Sequence, residues 1–153
     1  MSAEARLAEL GIELPSAPPA VAAYVPTVVV DGFVYVSGQV PFRAGGELPR
    51  IGLVGAEVSQ EEAVEEARVC ALNVLAQLRQ AAGSLDAIAR IVKLTVFVGS
   101  APGFRAQPLV ANGASELFLE VFGDAGRHAR SAVGVAELPL GVPVEVDAIA
   151  RLT

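Results

Sequence analysis

The sequence predicts an α+β fold, a two-layer sandwich in which a mixed β-sheet carries two helices on one face. Several short β-branched runs alternate in the way that half-buried strands do. Two longer segments repeat their apolar residues every three to four positions, which is the period of an amphipathic helix. The two patterns follow each other in the order β-β-α-β-α-β-β, which is typical of helices that cover one face of a sheet.

A short helix and an extended segment precede the first strand. Residues 2–10 predict a helix that begins at Ser2, a good N-cap, and ends at the following glycine. Residues 11–23 contain three prolines and therefore predict an extended lead-in, since proline interrupts helices. We expect a single domain over residues 1–153, with residues 1–23 as an N-terminal extension.

A β-hairpin is predicted next. The runs 27–30 and 33–36 flank Asp31-Gly32, the strongest short hairpin signal, because both turn residues tolerate a positive φ. The second strand continues into Ser37-Gly38-Gln39. Gly38 would allow a ligand or another backbone to approach closely, and a bulge or bend in the strand is the alternative interpretation.

Residues 40–58 predict an irregular loop, which is either a flap over a site or a surface excursion. The clearest helix follows, because Ser59 and Glu62 form a capping box and an apolar stripe continues to Ala81. Four glutamates suit the positive end of its dipole, namely Glu61, Glu62, Glu65 and Glu66. Cys70 lies on the apolar stripe, so we expect a buried and unreactive thiol.

A third strand and a second long helix occupy the middle of the chain. Residues 91–98 alternate as a strand, and residues 107–122 show helical periodicity, with Pro108 suited to the first turn. Asn112 and Ser115 lie on this helix. Each is either a polar ligand contact or a solvent-exposed side chain.

Two strands close the chain, within residues 127–139 and 142–150, and the Pro/Gly turn between them predicts a hairpin. Arg130 lies at the start of the first strand, and Glu145 lies between two valines of the second. If those valines face the core, Glu145 faces the other side of the sheet with Asp147, because strand neighbours point to opposite faces. Arg130 and Glu145 are the best candidates for chemistry, and an edge-strand ion pair is the alternative.

Composition limits the classes of partner. The 153 residues include 11 Lys plus Arg and 17 Asp plus Glu, a net charge of −6, which argues against a nucleic-acid partner. No apolar run reaches the roughly 20 residues that span a bilayer, so we expect no membrane partner. The single cysteine favours a reducing, cytoplasmic setting. The apolar content of 53% indicates burial of some surface between subunits.

Several motifs for catalysis or cofactor binding are absent. The chain has no Gly-x-Gly-x-x-Gly turn, no Walker loop and no pair of His or Cys residues for zinc, so we expect no cofactor and no metal. His128 is the only histidine and lies beside Arg127 and Arg130 without a nucleophile-elbow signature. We interpret it as a loop residue that orders the start of the strand rather than as a member of a catalytic triad.

Four blocks of the sequence stand at spacings that occur together in one known family. In chain order they are Tyr24 with Ser37-Gly38-Gln39, Asp86 through Val98, Phe104 with Asn112, and Ala129-Arg130-Ser131 through Leu138-Pro139 to residues 144–150. This pattern resembles the RidA family, also called YjgF/YER057c/UK114, over about residues 24–149. The last block is the most specific of the four.

The resemblance implies a chorismate-mutase-like fold and a homotrimer whose sheets form a central barrel, with ligand clefts between subunits. It also implies hydrolysis of reactive 2-imino and enamine acids to 2-keto acids and ammonia. In the best-known branch, residues at the positions of Arg130 and Glu145 grip the substrate carboxylate and orient the attacking water, respectively. A tyrosine at the position of Tyr24 comes from the neighbouring subunit. Further polar contacts with the substrate are expected from Ser37, Gly38 and Asn112.

The residue types suit this chemistry, because a guanidinium grips a carboxylate with two hydrogen bonds and a carboxylate can accept a proton from water. The chain departs from the best-known branch at Ala132, often a cysteine, and at Ser115, often an aromatic residue, and it resembles a longer branch of the family. The alternative is therefore a non-catalytic binder of small carboxylate metabolites, in sensing or regulation. Ribonuclease activity, attached to some relatives, is disfavoured by the negative charge and the single histidine.

Overall fold

The computed structural model describes residues 1–153 and contains a five-stranded mixed sheet and three α-helices. The strands are β1 (Thr27–Val30), β2 (Phe33–Gln39), β3 (Ile88–Gly99), β4 (Ala129–Val135) and β5 (Val144–Leu152). The helices are α1 (Ala3–Glu9), α2 (Gln60–Ala82) and α3 (Gln107–Phe122). The predicted α+β class is confirmed, and none of the helices has the length and apolar character needed to cross a membrane.

Local signals set the ends of these elements as expected. The β1–β2 turn has positive φ at Asp31 (49°) and Gly32 (75°), the combination that a two-residue hairpin of type I′ requires. At the start of α2, the Ser59 side chain accepts a hydrogen bond from the Glu62 amide, and the Glu62 carboxylate accepts one from the Ser59 amide. This capping box satisfies two backbone donors that would otherwise lack partners.

The predicted closing hairpin is wrong, because β4 and β5 are not neighbours. The strand order is β1-β2-β5-β3-β4, so β3 separates the last two strands. After α3 the chain returns as β4, parallel to β3, and the turn at Pro139–Gly141 then leads into β5, which is antiparallel to both β2 and β3. A Pro/Gly turn predicts a reversal of direction, but the partner of each strand is decided by long-range packing.

The two faces of the sheet differ in what covers them. The face under α2 and α3 carries the core, with fully buried strand residues such as Leu94, Val96 and Val146. No element of the chain covers the other face, which leaves large apolar side chains about half exposed, among them Val28, Tyr35 and Val133. An exposed apolar surface of this kind is typical of an interaction site, and the packing of a second copy of the chain there stays a prediction.

The loop over residues 40–58 is fastened to α2 by a buried ion cluster. Arg43 donates two hydrogen bonds of 2.7 Å to Glu66, and Arg50 donates a third of 2.7 Å to the same carboxylate. The Glu66 side chain is completely buried. Its main role is therefore to hold the loop against α2 rather than to complement the helix dipole.

Candidate active site

Arg130 lies on the helix-facing side of the edge strand β4. Its register partner on β3 is Leu94, a fully buried core residue, and cross-strand partners point to the same face of a sheet. The guanidinium therefore reaches α3, where Nη1 donates to Asn112 Oδ1 at 2.8 Å and to Ser115 Oγ at 3.1 Å. Its Nη2 donates to the Pro108 carbonyl at 3.2 Å.

These contacts hold the Arg130 guanidinium with neutral groups only. All eight ion pairs of the chain involve other residues, so no carboxylate neutralises the Arg130 charge. A guanidinium has five N–H donors, and the three contacts within the chain leave donors for a ligand. Asn112 uses its carbonyl oxygen toward Arg130, which leaves its amide nitrogen available as a further donor. The structure thus brings together Arg130 and Asn112, two of the predicted site residues.

Ser115 and His128 extend this cluster. The His128 Nδ1 atom lies 2.6 Å from the Gly126 carbonyl oxygen, and Nε2 lies 2.9 Å from Ser115 Oγ. Because a carbonyl can only accept, Nδ1 carries the proton, and the Nε2 atom of the neutral ring accepts from the Ser115 hydroxyl. Burial, together with the positive charge of Arg130, lowers the pKa of His128 below its ordinary value, although the Gly126 carbonyl acts in the opposite direction.

The sequence indicates this part of the site less clearly than it indicates Arg130. It leaves Ser115 open as either a ligand contact or an exposed side chain, and it predicts for His128 only a role at the start of the strand. Two spacings signal the cluster. Asn112 and Ser115 are three residues apart on a helix, and His128 and Arg130 are two residues apart along one stretch, so each pair shares a face.

Glu145 lies on the opposite face of the sheet. Its neighbours Val144 and Val146 are fully buried against the helices, so the predicted orientation of Glu145 is confirmed. The side chain is half-buried and shares its face with Asp147 and with Phe97, its register partner on β3. Burial raises the pKa of the Glu145 carboxyl, and the negative charge of Asp147 raises it further.

Gly38 makes room for the Glu145 carboxylate. A Cβ atom at position 38 would overlap Glu145 Oε1, so a larger residue here would require the Glu145 side chain to move. The strand is also bulged here, because the β2–β5 register shifts between Val36 and Gln39. The bulge interpretation of the Ser37-Gly38-Gln39 stretch is confirmed. The close neighbour of Gly38 within the chain is a side chain, and the approach of a ligand or another backbone stays a prediction.

Ser37 and Tyr24 belong to the same region. The Ser37 hydroxyl donates to the Val25 carbonyl at 2.8 Å, and the Ser37 amide donates to the Pro26 carbonyl at 2.9 Å, which ties the segment before β1 to the bulge. Tyr24 lies immediately before this segment and is 47% exposed. Its ring is therefore free to contact another molecule.

The six predicted site residues form two groups that do not meet within one chain. Arg130 and Asn112 lie on the helix-facing side, whereas Glu145 and Gly38 lie on the other face and Ser37 and Tyr24 belong to the bulge region beside them. Strand β3 lies between β4 and β5, so two strand spacings, about 10 Å, separate their backbones. The alternative of an Arg130–Glu145 ion pair is thereby excluded within the chain.

Five cavities of the single chain coincide with neither group. Five concave spaces, of about 210 to 420 Å³, lie elsewhere, for example between the prolines of residues 15–19 and the 42–46 loop. None of these five is lined by a predicted site residue. The largest concave space is the usual first candidate for a site, but here the predicted site residues lie outside these five spaces.

Comparisons with known proteins show the family to which the chain belongs. Residues 4–152 match a family model described as "YjgF/chorismate_mutase-like, putative endoribonuclease". The chain is 49% identical to Protein TCP17 of Trypanosoma cruzi over 97% of its own length and 92% of the relative's. The crystal structure of Atu1372 from Agrobacterium tumefaciens, of unknown function, matches with 46% identity and a TM-score of 0.88, over 98% of this chain and 91% of that one.

A further similar structure is that of E. coli TdcF with bound serine, with 31% identity and a TM-score of 0.67, over 92% of this chain and 97% of that one. The fold seen here also matches the structure of the YjgF gene product of E. coli, with a TM-score of 0.66. Sequence motifs, fold and relatives agree, and the chain belongs to the YjgF/RutC family, the family that its motifs indicate under the name RidA.

Proposed function

We propose that the protein hydrolyses reactive 2-imino and enamine acids to 2-keto acids and ammonia. The observation that carries this proposal is the Arg130 guanidinium, which is fixed by Asn112, Ser115 and the Pro108 carbonyl and has no acidic partner in the chain. A positive charge held only by neutral groups suits an anionic ligand. The serine bound in the similar TdcF structure is a small amino acid with a carboxylate of this kind.

The chemistry follows from the order of groups in a 2-imino acid. Its carboxylate is bonded directly to the electrophilic carbon of the C=N bond, so a two-point grip by Arg130 fixes the position of that carbon. Glu145 is proposed to orient the attacking water and to accept its proton. A carboxylate with a raised pKa holds a proton more strongly, which makes Glu145 a better proton acceptor near neutral pH than an ordinary carboxylate.

The two groups act on one substrate when a second copy of the chain supplies one of them. Arg130 and Glu145 face opposite sides of a single sheet, and the uncovered apolar face offers a surface for association. We therefore propose a homotrimer with clefts between subunits, in which Arg130 of one copy meets Glu145 of another. Tyr24, on its exposed segment, would help to close the cleft.

A non-catalytic binder of small carboxylates is the second candidate. The observation that favours this binder is again the Arg130 guanidinium without an acidic partner. Such a group can bind a carboxylate whether or not any reaction follows. Ala132 and Ser115, which replace residues common in the best-known branch, also change the surroundings of the ligand. A ribonuclease is less well supported, since the net charge of −6 opposes RNA binding.

Pyruvate release from 2-aminoacrylate generated in situ distinguishes these functions. We expect the wild-type protein to accelerate this release well above the rate in buffer. Saturable pyruvate binding by calorimetry, without any acceleration of release, would instead establish the non-catalytic binder. RNA cleavage that persists unchanged after Arg130→Ala would indicate a contaminating nuclease rather than this site.

A further inference from the structure

We propose that Ser115 and His128 form a proton relay, which takes a proton from the oxygen that is added at the carbon next to the ligand carboxylate. This inference rests on the proposed deaminase function. It concerns residues on the same chain and the same face as Arg130. It adds a second proton acceptor, since Glu145 is already proposed as the first.

The relay is an ordered chain of hydrogen bonds. The Gly126 carbonyl fixes the proton on His128 Nδ1 (2.6 Å), and His128 Nε2 therefore accepts from the Ser115 hydroxyl (2.9 Å). Ser115 Oγ also accepts from Arg130 Nη1 at 3.1 Å. A hydroxyl oxygen has two lone pairs, so one remains to accept from a ligand. A hydroxyl bonded to a base that a third group orients is a recurrent catalytic arrangement, and here these are Ser115, His128 and the Gly126 carbonyl.

The position of Ser115 places the relay at the reacting carbon. Asn112 and Ser115 occupy both Nη1 donors, so the carboxylate binds the remaining Nη2 and Nε donors of the same guanidinium. The electrophilic carbon is one covalent bond from the carboxylate. The proposal places the oxygen added to that carbon beside the Ser115 hydroxyl, whereas Glu145 reaches it only from another copy.

Imine hydrolysis needs two proton acceptors in turn. The water oxygen ends as the carbonyl oxygen of the keto acid, so it loses both protons, and the imine nitrogen gains two and leaves as ammonia. Glu145 accepts the first proton as the C–O bond forms and passes it to nitrogen. As the C–N bond breaks, the hydroxyl of the adduct gives its proton to Ser115 Oγ while the Ser115 proton moves to His128 Nε2. The nitrogen takes its remaining proton from solvent, and His128 returns one to solvent.

The surroundings of His128 favour the neutral imidazole, which can accept a proton. Its ring stands edge-on to Phe118 of α3, with centroids 6.1 Å apart, and Arg130 is the charged group that faces it. Arg127 and Asp124 are close along the chain but are exposed and paired with each other. Burial, and then the charge of Arg130, lowers the pKa of His128, so the imidazole is neutral at pH 7 and Nε2 has a free lone pair.

Kinetics of three variants and one control variant test the relay. We expect His128→Gln to lower kcat for pyruvate release by about 100-fold while KM changes little, because a proton transfer is lost and the contacts of Arg130 are kept. Ser115→Ala should lower kcat by a similar factor and also raise KM, because it removes one of the three contacts that hold Arg130. Ser115→Thr retains the hydroxyl and should recover much of the rate. Wild-type activity should fall as the pH drops through the lowered pKa of His128 and the raised pKa of Glu145. The His128 part of this acid limb should be absent in His128→Gln, whereas the Glu145 part should remain. Glu116→Gln, an exposed change on the same helix, should have no effect.

A titration of the wild-type protein removes any ambiguity from misfolded variants. His128 is the only histidine, so its imidazole gives a single set of NMR signals. Saturating pyruvate should raise the pKa of His128, since the ligand carboxylate partly offsets the Arg130 charge. An unchanged titration would overturn the relay whether or not the protein turns over. Turnover by the wild type with unchanged kcat in His128→Gln would also overturn it, whereas absence of wild-type turnover would overturn the proposed function itself.

Discussion

Replacement of Arg130 by alanine is expected to lower kcat/KM for pyruvate release from 2-aminoacrylate by about 100-fold or more. Hydrogen bonds to a charged group contribute about 1.5–3 kcal/mol each, and a two-point grip loses both. Each 1.4 kcal/mol corresponds to about tenfold. The loss should fall on KM as well as kcat, because the carboxylate is held in both the ground state and the transition state.

Two matched variants separate this effect from a general loss of positive charge. Arg130→Lys keeps the charge but not the planar two-point geometry, so we expect an intermediate rate. Arg127→Ala removes an arginine only three positions from Arg130 in the sequence. The Arg127 side chain is 74% exposed and paired with Asp124, so this change should leave the rate unchanged. Arg130→Ala activity within a few-fold of wild type would show that the carboxylate is bound elsewhere.

Glu66→Ala is expected to lower the free energy of unfolding by about 3 kcal/mol. Removal of one member of a buried ion pair typically costs about 3–5 kcal/mol, because the remaining charges lose their partner. Glu66 is completely buried and serves two arginines, Arg43 and Arg50, whose side chains are 29% and 28% exposed. Water reaches these arginines in part, which places the expected loss at the lower end of the range.

Urea denaturation of Glu66→Ala and Glu65→Ala measures this contribution. Glu65 also pairs with Arg50 but is 64% exposed, so its replacement should cost at most about 1 kcal/mol. We expect the midpoint of Glu66→Ala to fall with little change in the m-value. Equal stabilities of the two variants would mean that the 40–58 loop is not held by this cluster.

Much of the fold could be predicted because its signals are local. The Ser59–Glu62 capping box and the Asp31-Gly32 turn depend on neighbouring residues, and both have the predicted geometry. The place of β5 between β2 and β3 could not be predicted in this way. It depends on the pairing of segments that are far apart in the sequence, and a Pro/Gly turn carries no information about the partner strand.

The candidate site shows the same division between local and long-range information. The outward orientation of Glu145 follows from strand alternation, and the pairing of Arg130 with Asn112 agrees with the positions that the family resemblance indicates. The hydrogen bond between Ser115 and His128 joins residues thirteen positions apart on different elements, so no short motif contains it. In the sequence, Glu66 is one of four glutamates near the start of a helix, and only its burial in the folded chain distinguishes it from the other three.

The most direct test of a site shared between two copies is the activity of mixed oligomers. Arg130→Ala and Glu145→Gln chains with different tags would be co-expressed in equal amounts, and the mixed species would be purified. If Arg130 and Glu145 of one cleft come from different copies, every mixed trimer has about one cleft in three with both residues intact. We therefore predict recovery of about a third of the wild-type rate of pyruvate release in the purified mixed species. Activity no higher than that of the two parent variants would contradict a shared site.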